Sequence, residues 1–138
     1  MTPLLPHDLA QFARKFRFAG GRLRRVRVLP RKGAATVVVV LKVTPTITDL
    51  GADAPGPVRL VLRIDGSEEY RFQKRPIGSA ARVSEVKFGT FNGLIYINFD
   101  AWGLQPGEVP GVHDFRASDA FVAGRRVSWE VVKANGPT

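Results

Sequence analysis

The stretch Val86-Lys87-Phe88-Gly89-Thr90-Phe91-Asn92-Gly93-Leu94-Ile95-Tyr96-Ile97-Asn98-Phe99 carries the strongest structural signal in the chain. Asn-Gly tolerates positive φ at both central positions of a type I′ turn, and the twist of that turn matches the twist of paired strands. The pair therefore predicts a two-residue hairpin joining strands at about 82–91 and 94–101. The turn also sets the register. Val86 faces Phe99, Phe88 faces Ile97 and Thr90 faces Ile95, an apolar face assigned to the core. The reverse face pairs Phe91 with Leu94, Gly89 with Tyr96, Lys87 with Asn98 and Glu85 with Asp100.

Upstream, residues 22–29 and 34–43 flank Pro30-Arg31-Lys32-Gly33, where proline and glycine suit a turn, giving a first hairpin. Val26 and Val28 share a face but Leu23 is out of phase with them. One extra residue at Arg24-Arg25, a β-bulge, restores the alternation. Val37 to Leu41 is apolar on both faces, as in a strand at the middle of a sheet or barrel wall. Leu60, Leu62 and Ile64 alternate with Val61, Arg63 and Asp65, and Tyr70 and Phe72 follow Asp65-Gly66-Ser67. A second hairpin with a three-residue loop sets Leu62 opposite Tyr70, Leu60 opposite Phe72 and Arg63 opposite Glu69; a five-residue loop keeps the apolar faces aligned as well. Short strands are expected at 119–122 and 125–133, the latter with Val127, Trp129 and Val131 on one face. Segments 44–57 and 103–118, rich in Gly and Pro, read as long loops.

Only the N-terminus departs from period 2. After His7-Asp8, the residues Leu9, Phe12, Ala13 and Phe16 fall at i, i+3, i+4 and i+7, the stripe of an amphipathic helix. The helix is expected at about 8–17, capped by Asp8 and stopped by Ala19-Gly20-Gly21. The chain thus reads as a single domain, 1–138, mainly β: an antiparallel β-sandwich or small barrel built from hairpins, with one short N-terminal α-helix. Its eight or so strands fall at about 22–29, 34–43, 58–64, 68–73, 82–91, 94–101, 119–122 and 125–133.

The composition agrees with a folded domain, at 138 residues with 44% hydrophobic and 24% charged. With no cysteine, disulfides, thiolate zinc sites, iron–sulfur clusters and cysteine nucleophiles are all excluded. The longest apolar run, Val37 to Leu41, is far below the roughly 20 residues of a spanning helix. Met1-Thr2-Pro3-Leu4-Leu5-Pro6 has neither a basic segment nor a long apolar one, so the expected location is the cytoplasm.

Charge is the feature that points to function. The net charge is +9. Residues 1–43 hold ten bases against the single acid Asp8, while the remaining 95 residues carry eleven of each sign. The excess is concentrated on the helix and first hairpin, at Arg14, Lys15, Arg17, Arg22, Arg24, Arg25, Arg27, Arg31 and Lys32. Such a set suits an acidic protein or another acidic macromolecule, and phosphate-rich nucleic acid is the alternative partner. The nearby aromatics, Phe12 and Phe16, are claimed by the helix core face and not by base stacking. The same charges also fit a solvated, non-functional face.

Other constellations are thinner. The segment Gly111-Val112-His113-Asp114-Phe115-Arg116-Ala117-Ser118-Asp119 gathers His113, Asp114, Arg116, Ser118 and Asp119 on a loop, a possible polar site and the centre of any hydrolase reading. No nucleophile elbow accompanies it, and such residues commonly cap turns, with Arg116 pairing Asp114 or Asp119. Facing carboxylates at Glu85 and Asp100 call for a cation, which Arg82 or Lys87 could supply. His7 and His113 would ligate a metal only if the chain ends met, and nothing in their spacing requires it, so no metal and no cofactor is expected. The Phe91, Leu94, Tyr96 face is either covered by the 103–118 loop or open to a second copy of the chain as a homodimer contact. The expectation is a non-enzymatic binding domain with a basic N-terminal surface.

Overall fold

The computed structural model describes residues 1–46, 56–72, 81–82, 85–99, 111–118 and 120–133. The strands are β1 (Thr2–Leu4), β2 (Phe16–Arg31), β3 (Ala34–Pro45), β4 (Val58–Phe72), β5 (Ala81–Arg82), β6 (Lys87–Phe91), β7 (Leu94–Asn98) and β8 (Ala120–Lys133), and the α-helices are α1 (Leu9–Lys15) and α2 (Val112–Arg116). All eight strands join one antiparallel sheet in the order β5-β2-β3-β4-β8-β7-β6, with β1 paired to β8. The fold class is therefore mainly antiparallel β with a short N-terminal helix. Among the described residues no helix is long and apolar enough to cross a membrane.

The Asn-Gly hairpin forms as its sequence dictates. Asn92 and Gly93 both take positive φ, at 54° and 77°. Lys87 pairs with Asn98, Phe88 with Ile97, Gly89 with Tyr96, Thr90 with Ile95 and Phe91 with Leu94. In the first hairpin Leu23 lies opposite Leu41 and Arg25 opposite Val40, so Arg24 is the extra residue of the expected bulge. The strands are longer than their sequence signals, and the turn tightens to Lys32-Gly33 because Arg31 still pairs with Ala34.

The second hairpin is corrected. Asp65-Gly66-Ser67 does not reverse the chain; β4 runs through it as one strand and pairs along its length with β8, which is likewise continuous across Gly124. Tyr70 and Phe72 thus meet Val122 and Ala120 of β8 rather than Leu62 and Leu60. A bulge absorbs the irregularity: Gly66 sits at φ +61°, and the register shifts between Ser67 and Glu69. The Ser67 hydroxyl donates to the Ala123 carbonyl at 3.0 Å, so the break leaves no buried hydroxyl unsatisfied. The two strands approach closely here because Gly124 has no side chain; a Cβ there would sit 2.2 Å from Ile64 Cγ2.

The N-terminal helix is shorter than expected. A 3₁₀ turn over Pro6–Asp8 leads into it, and Asp8 makes no cap bond to it, its carboxylate instead accepting from the Leu5 amide at 3.3 Å. The end comes at Lys15, before the Ala19-Gly20-Gly21 signal, because Phe16 and Phe18 are drawn into β2 and the core. Thr46 receives the freed helix carbonyls: its amide donates to Lys15 at 2.9 Å and its hydroxyl to Arg14. Strand β1 had no signal of its own, being three residues carried by their partner.

The core lies on one side of the sheet. Val37, Val39, Leu41, Leu60, Leu62, Ile64, Ile97 and Val122 are fully buried there. Phe12 of α1 fills the remaining gap, with ring centroids 5.6 Å from Phe16, 5.8 Å from Phe88 and 5.2 Å from Trp129. Phe18 of β2 also meets Phe88 of β6 at 6.1 Å, so aromatic contact draws strands from opposite ends of the sheet together.

Truncating this plug exposes three strands at once. Phe12→Ala is expected to cost about 3–5 kcal/mol, the usual range for a buried phenylalanine, measured by urea unfolding followed through tryptophan fluorescence. Gly124→Ala is expected to cost about 1–3 kcal/mol by overpacking in the same assay, although alanine normally favours ordered backbone over glycine.

Candidate functional site

Residues paired across adjacent strands point to the same side of a sheet, so the ladder decides which cations share a surface. Leu23, Val26 and Val28 share the core side of the sheet with Leu41, Val39 and Val37, Leu23 and Val26 packing on the core and Val28, toward the hairpin end, staying 36% exposed. Arg17, Arg22, Arg25, Arg27 and Arg31 therefore point outward from β2, beside Lys42, Val40 and Val38 of β3. The same face continues through Arg59, Val61, Arg63 and Asp65 of β4 to Val132, Glu130, Ser128 and Arg126 of β8. Arg24, the bulge residue, and Lys32, in the turn, are exposed beside it.

Arg14 and Lys15 do not join this surface: α1 packs on the core side, where the Lys15 ammonium lies 5.2 Å from the Trp129 ring centre. Conversely, the face is not confined to the N-terminal third, since Arg59, Arg63 and Arg126 come to it from β4 and β8. Strand β4 carries as many acids as bases, and only strand pairing sets its Arg59 and Arg63 among the cations of β2 and β3.

Acids on this face are few. Asp65 is occupied, accepting from Arg63 Nε at 3.2 Å and from the Thr36 hydroxyl at 3.0 Å. Arg22, Lys42 and Arg59 stand directly opposite one another across three strands and make no ion pair with any described residue. Like charges in that arrangement repel. Between the cations, Val38, Val40 and Val61 are half-buried and Val132 is 44% exposed.

Over β6, β7 and the start of β8 the outer surface is covered by α2. Phe115 of α2 is fully buried against Tyr96 and Phe91, at 5.6 and 5.8 Å, and Leu94 and Tyr96 are buried beneath it. Helix α2 thus covers the Phe91, Leu94, Tyr96 face, burying Leu94 and Tyr96 and leaving Phe91 half-buried. A polar clasp holds α2 in place: Glu69 accepts from Arg116 at 2.8 and 3.1 Å and from the Tyr96 hydroxyl at 2.6 Å, while Arg71 donates to the Arg116 carbonyl at 2.8 Å. The Arg116 guanidinium, then the Tyr96 hydroxyl, holds the Glu69 carboxyl below its ordinary value of 4.5.

That clasp also disperses the polar loop group. Arg116 turns to Glu69 and away from Asp114. Asp114 caps α2 by accepting from the Gly111 amide at 2.7 Å, and the Ser118 hydroxyl is bonded to the backbone of Ala120. His113 is exposed and Asp119 lies outside the described residues. Glu85 pairs with Lys87 at 3.0 Å, and its expected partner Asp100 also lies outside them. His7 sits beside Asp8 at 3.3 Å, and no group of three potential metal ligands gathers among the described residues.

In comparisons with protein families, curated proteins and solved structures, the chain matches none.

The clasp makes a pH prediction. Because the folded Glu69 carboxyl lies below its ordinary 4.5, its stabilisation is present above that pH and is lost as pH falls through the lowered folded value. Glu69→Gln is expected to lower the thermal midpoint at pH 7, with the gap from wild type narrowing steadily below pH 4.5 in a calorimetric series.

Proposed function

We propose that the protein is a non-enzymatic binding module whose open sheet face contacts an acidic protein. The observation that carries this reading is the convergence of Arg22, Arg25, Arg27, Lys42, Arg59 and Arg126 on one outer face where Asp65 and Glu130 are the acids among the described residues. Such a face attracts an acidic partner through its field and speeds encounter.

The residues between the cations favour protein over nucleic acid. Val38, Val40, Val61 and Val132 place apolar surface at the centre of an arginine-rich rim, the usual composition of a protein interface. The described outward residues of this face include no Phe, Tyr or Trp, so it lacks the stacking platform that single-stranded nucleic acid uses. The face is made of strands inside a wider sheet, and none of the described elements projects from it to enter a groove.

The test is direct. Fluorescence anisotropy should show poly-L-glutamate binding at low ionic strength, weakening as salt rises. The variant Arg25→Gln/Arg27→Gln/Arg59→Gln is expected to bind about tenfold more weakly, from roughly 0.5 kcal/mol per exposed charge pair. Its unfolding midpoint should be unchanged or raised, since neutralisation relieves repulsion. Affinity equal to wild type sinks the proposal, and a single- or double-stranded oligonucleotide that binds more tightly than the acidic polypeptide at matched salt transfers the face to nucleic acid.

A further inference from the structure

At one corner of the basic face β2 breaks its ladder. Arg17 pairs with Thr44 and Arg22 with Lys42, so four residues of β2, 18–21, stand against Val43 alone on β3. Phe18 turns into the core, Gly20 takes φ +82°, and Gly21 lies so close to β3 that a Cβ would come within 2.9 Å of the Lys42 carbonyl. A missing side chain thus lets the looped backbone fold down on its neighbour. Above it opens a cleft of about 350 Å³ whose lining includes Arg17, Arg22, Lys42 and Thr44 and, among the described residues, no acid.

We propose that this cleft binds a phosphate monoester, carried as a phosphorylated side chain of the acidic protein partner. The identity of the partner rests on the reading of the sheet face above; the phosphate site rests on the cleft. Three cations around one concavity, with no counter-charge among the described residues, repel one another, and an anion relieves that repulsion. A phosphate monoester carries nearly two negative charges and three strong acceptor oxygens. These match two guanidinium forks, an ammonium and a hydroxyl better than one carboxylate does. The cleft is larger than a phosphate group and is continuous with the open face through Arg22 and Lys42, so the group enters as part of a longer chain lying across the sheet.

The blocked tripeptide Gly-phosphoserine-Gly, whose only charge is its phosphate, isolates the cleft from the rest of the face. Titrated into the ¹⁵N-labelled protein, it is expected to give saturating amide shifts confined to residues 17–22 and 42–44. Arg22→Gln/Lys42→Gln should weaken it by about tenfold or more, as loss of charge-assisted bonds implies, whereas Arg25→Gln/Arg27→Gln should leave it within about twofold of wild type. Shifts that do not saturate, equal shifts from the Gly-Glu-Gly peptide, or equal loss in the Arg25/Arg27 variant would overturn the site. A nucleoside 5′-monophosphate that binds more tightly than the phosphopeptide overturns its assignment to a protein side chain. Failure of poly-L-glutamate to bind, with the phosphopeptide still saturating at the cleft, rejects the sheet-face reading and leaves the phosphate site standing.

Discussion

The fold depends on one ring. Phe12 stands on a helix of only seven residues, too short to be stable by itself in water, yet it touches aromatic side chains of β2, β6 and β8 at once. The dependence runs both ways. Tertiary contact holds the helix, and the helix supplies the apolar volume that a curled sheet of mostly valine and leucine leaves unfilled. Helix and sheet therefore form one cooperative unit, with Thr46 closing the helix end by donating two bonds, from its amide to the Lys15 carbonyl and from its hydroxyl to that of Arg14.

The core consumes one side of the sheet, and the other side is divided. Where β6, β7 and the start of β8 lie, aromatic residues face outward and α2 covers them, fastened by Glu69 to Arg116 and Tyr96. Where β2, β3 and the first half of β4 lie, the outward residues are cations and short valines, and none of the described elements packs on them. Electrostatics keeps the division: folding a helix over a row such as Arg22, Lys42 and Arg59 would strip charges of water without a partner. The face proposed for an acidic partner is thus one on which none of the described elements packs.

Much of the fold was legible in local pattern. The Asn-Gly turn set its register residue by residue, and the phase slip at Arg24 revealed a bulge, since both signals lie within a few positions of one another. Asp65-Gly66-Ser67 misled for the same reason. A glycine at positive φ serves a turn or a bulge equally well, and the choice was made by β8, some sixty residues away, which offered Val122 and Ala120 to Tyr70 and Phe72. The glycine pair at 20–21 read as a helix stop but lies inside β2, because Phe16 and Phe18 gained more from the core than from another helical turn.

The candidate site divides along the same line. Sequence alone determined that the chain is basic, that its excess charge begins in the first 43 residues, and that the strand carrying most of those arginines alternates them with apolar residues. It also determined the antiparallel β class, because period-2 patterning and turn residues act over short distances. Tertiary structure alone decided which cations share a face. It removed Lys15 to Trp129, drew Arg116 to Glu69, and set Arg59, Arg63 and Arg126 beside the arginines of β2. The physical reason is that a side chain's facing is a local property of its strand, whereas its neighbours are set by pairing between strands distant in sequence.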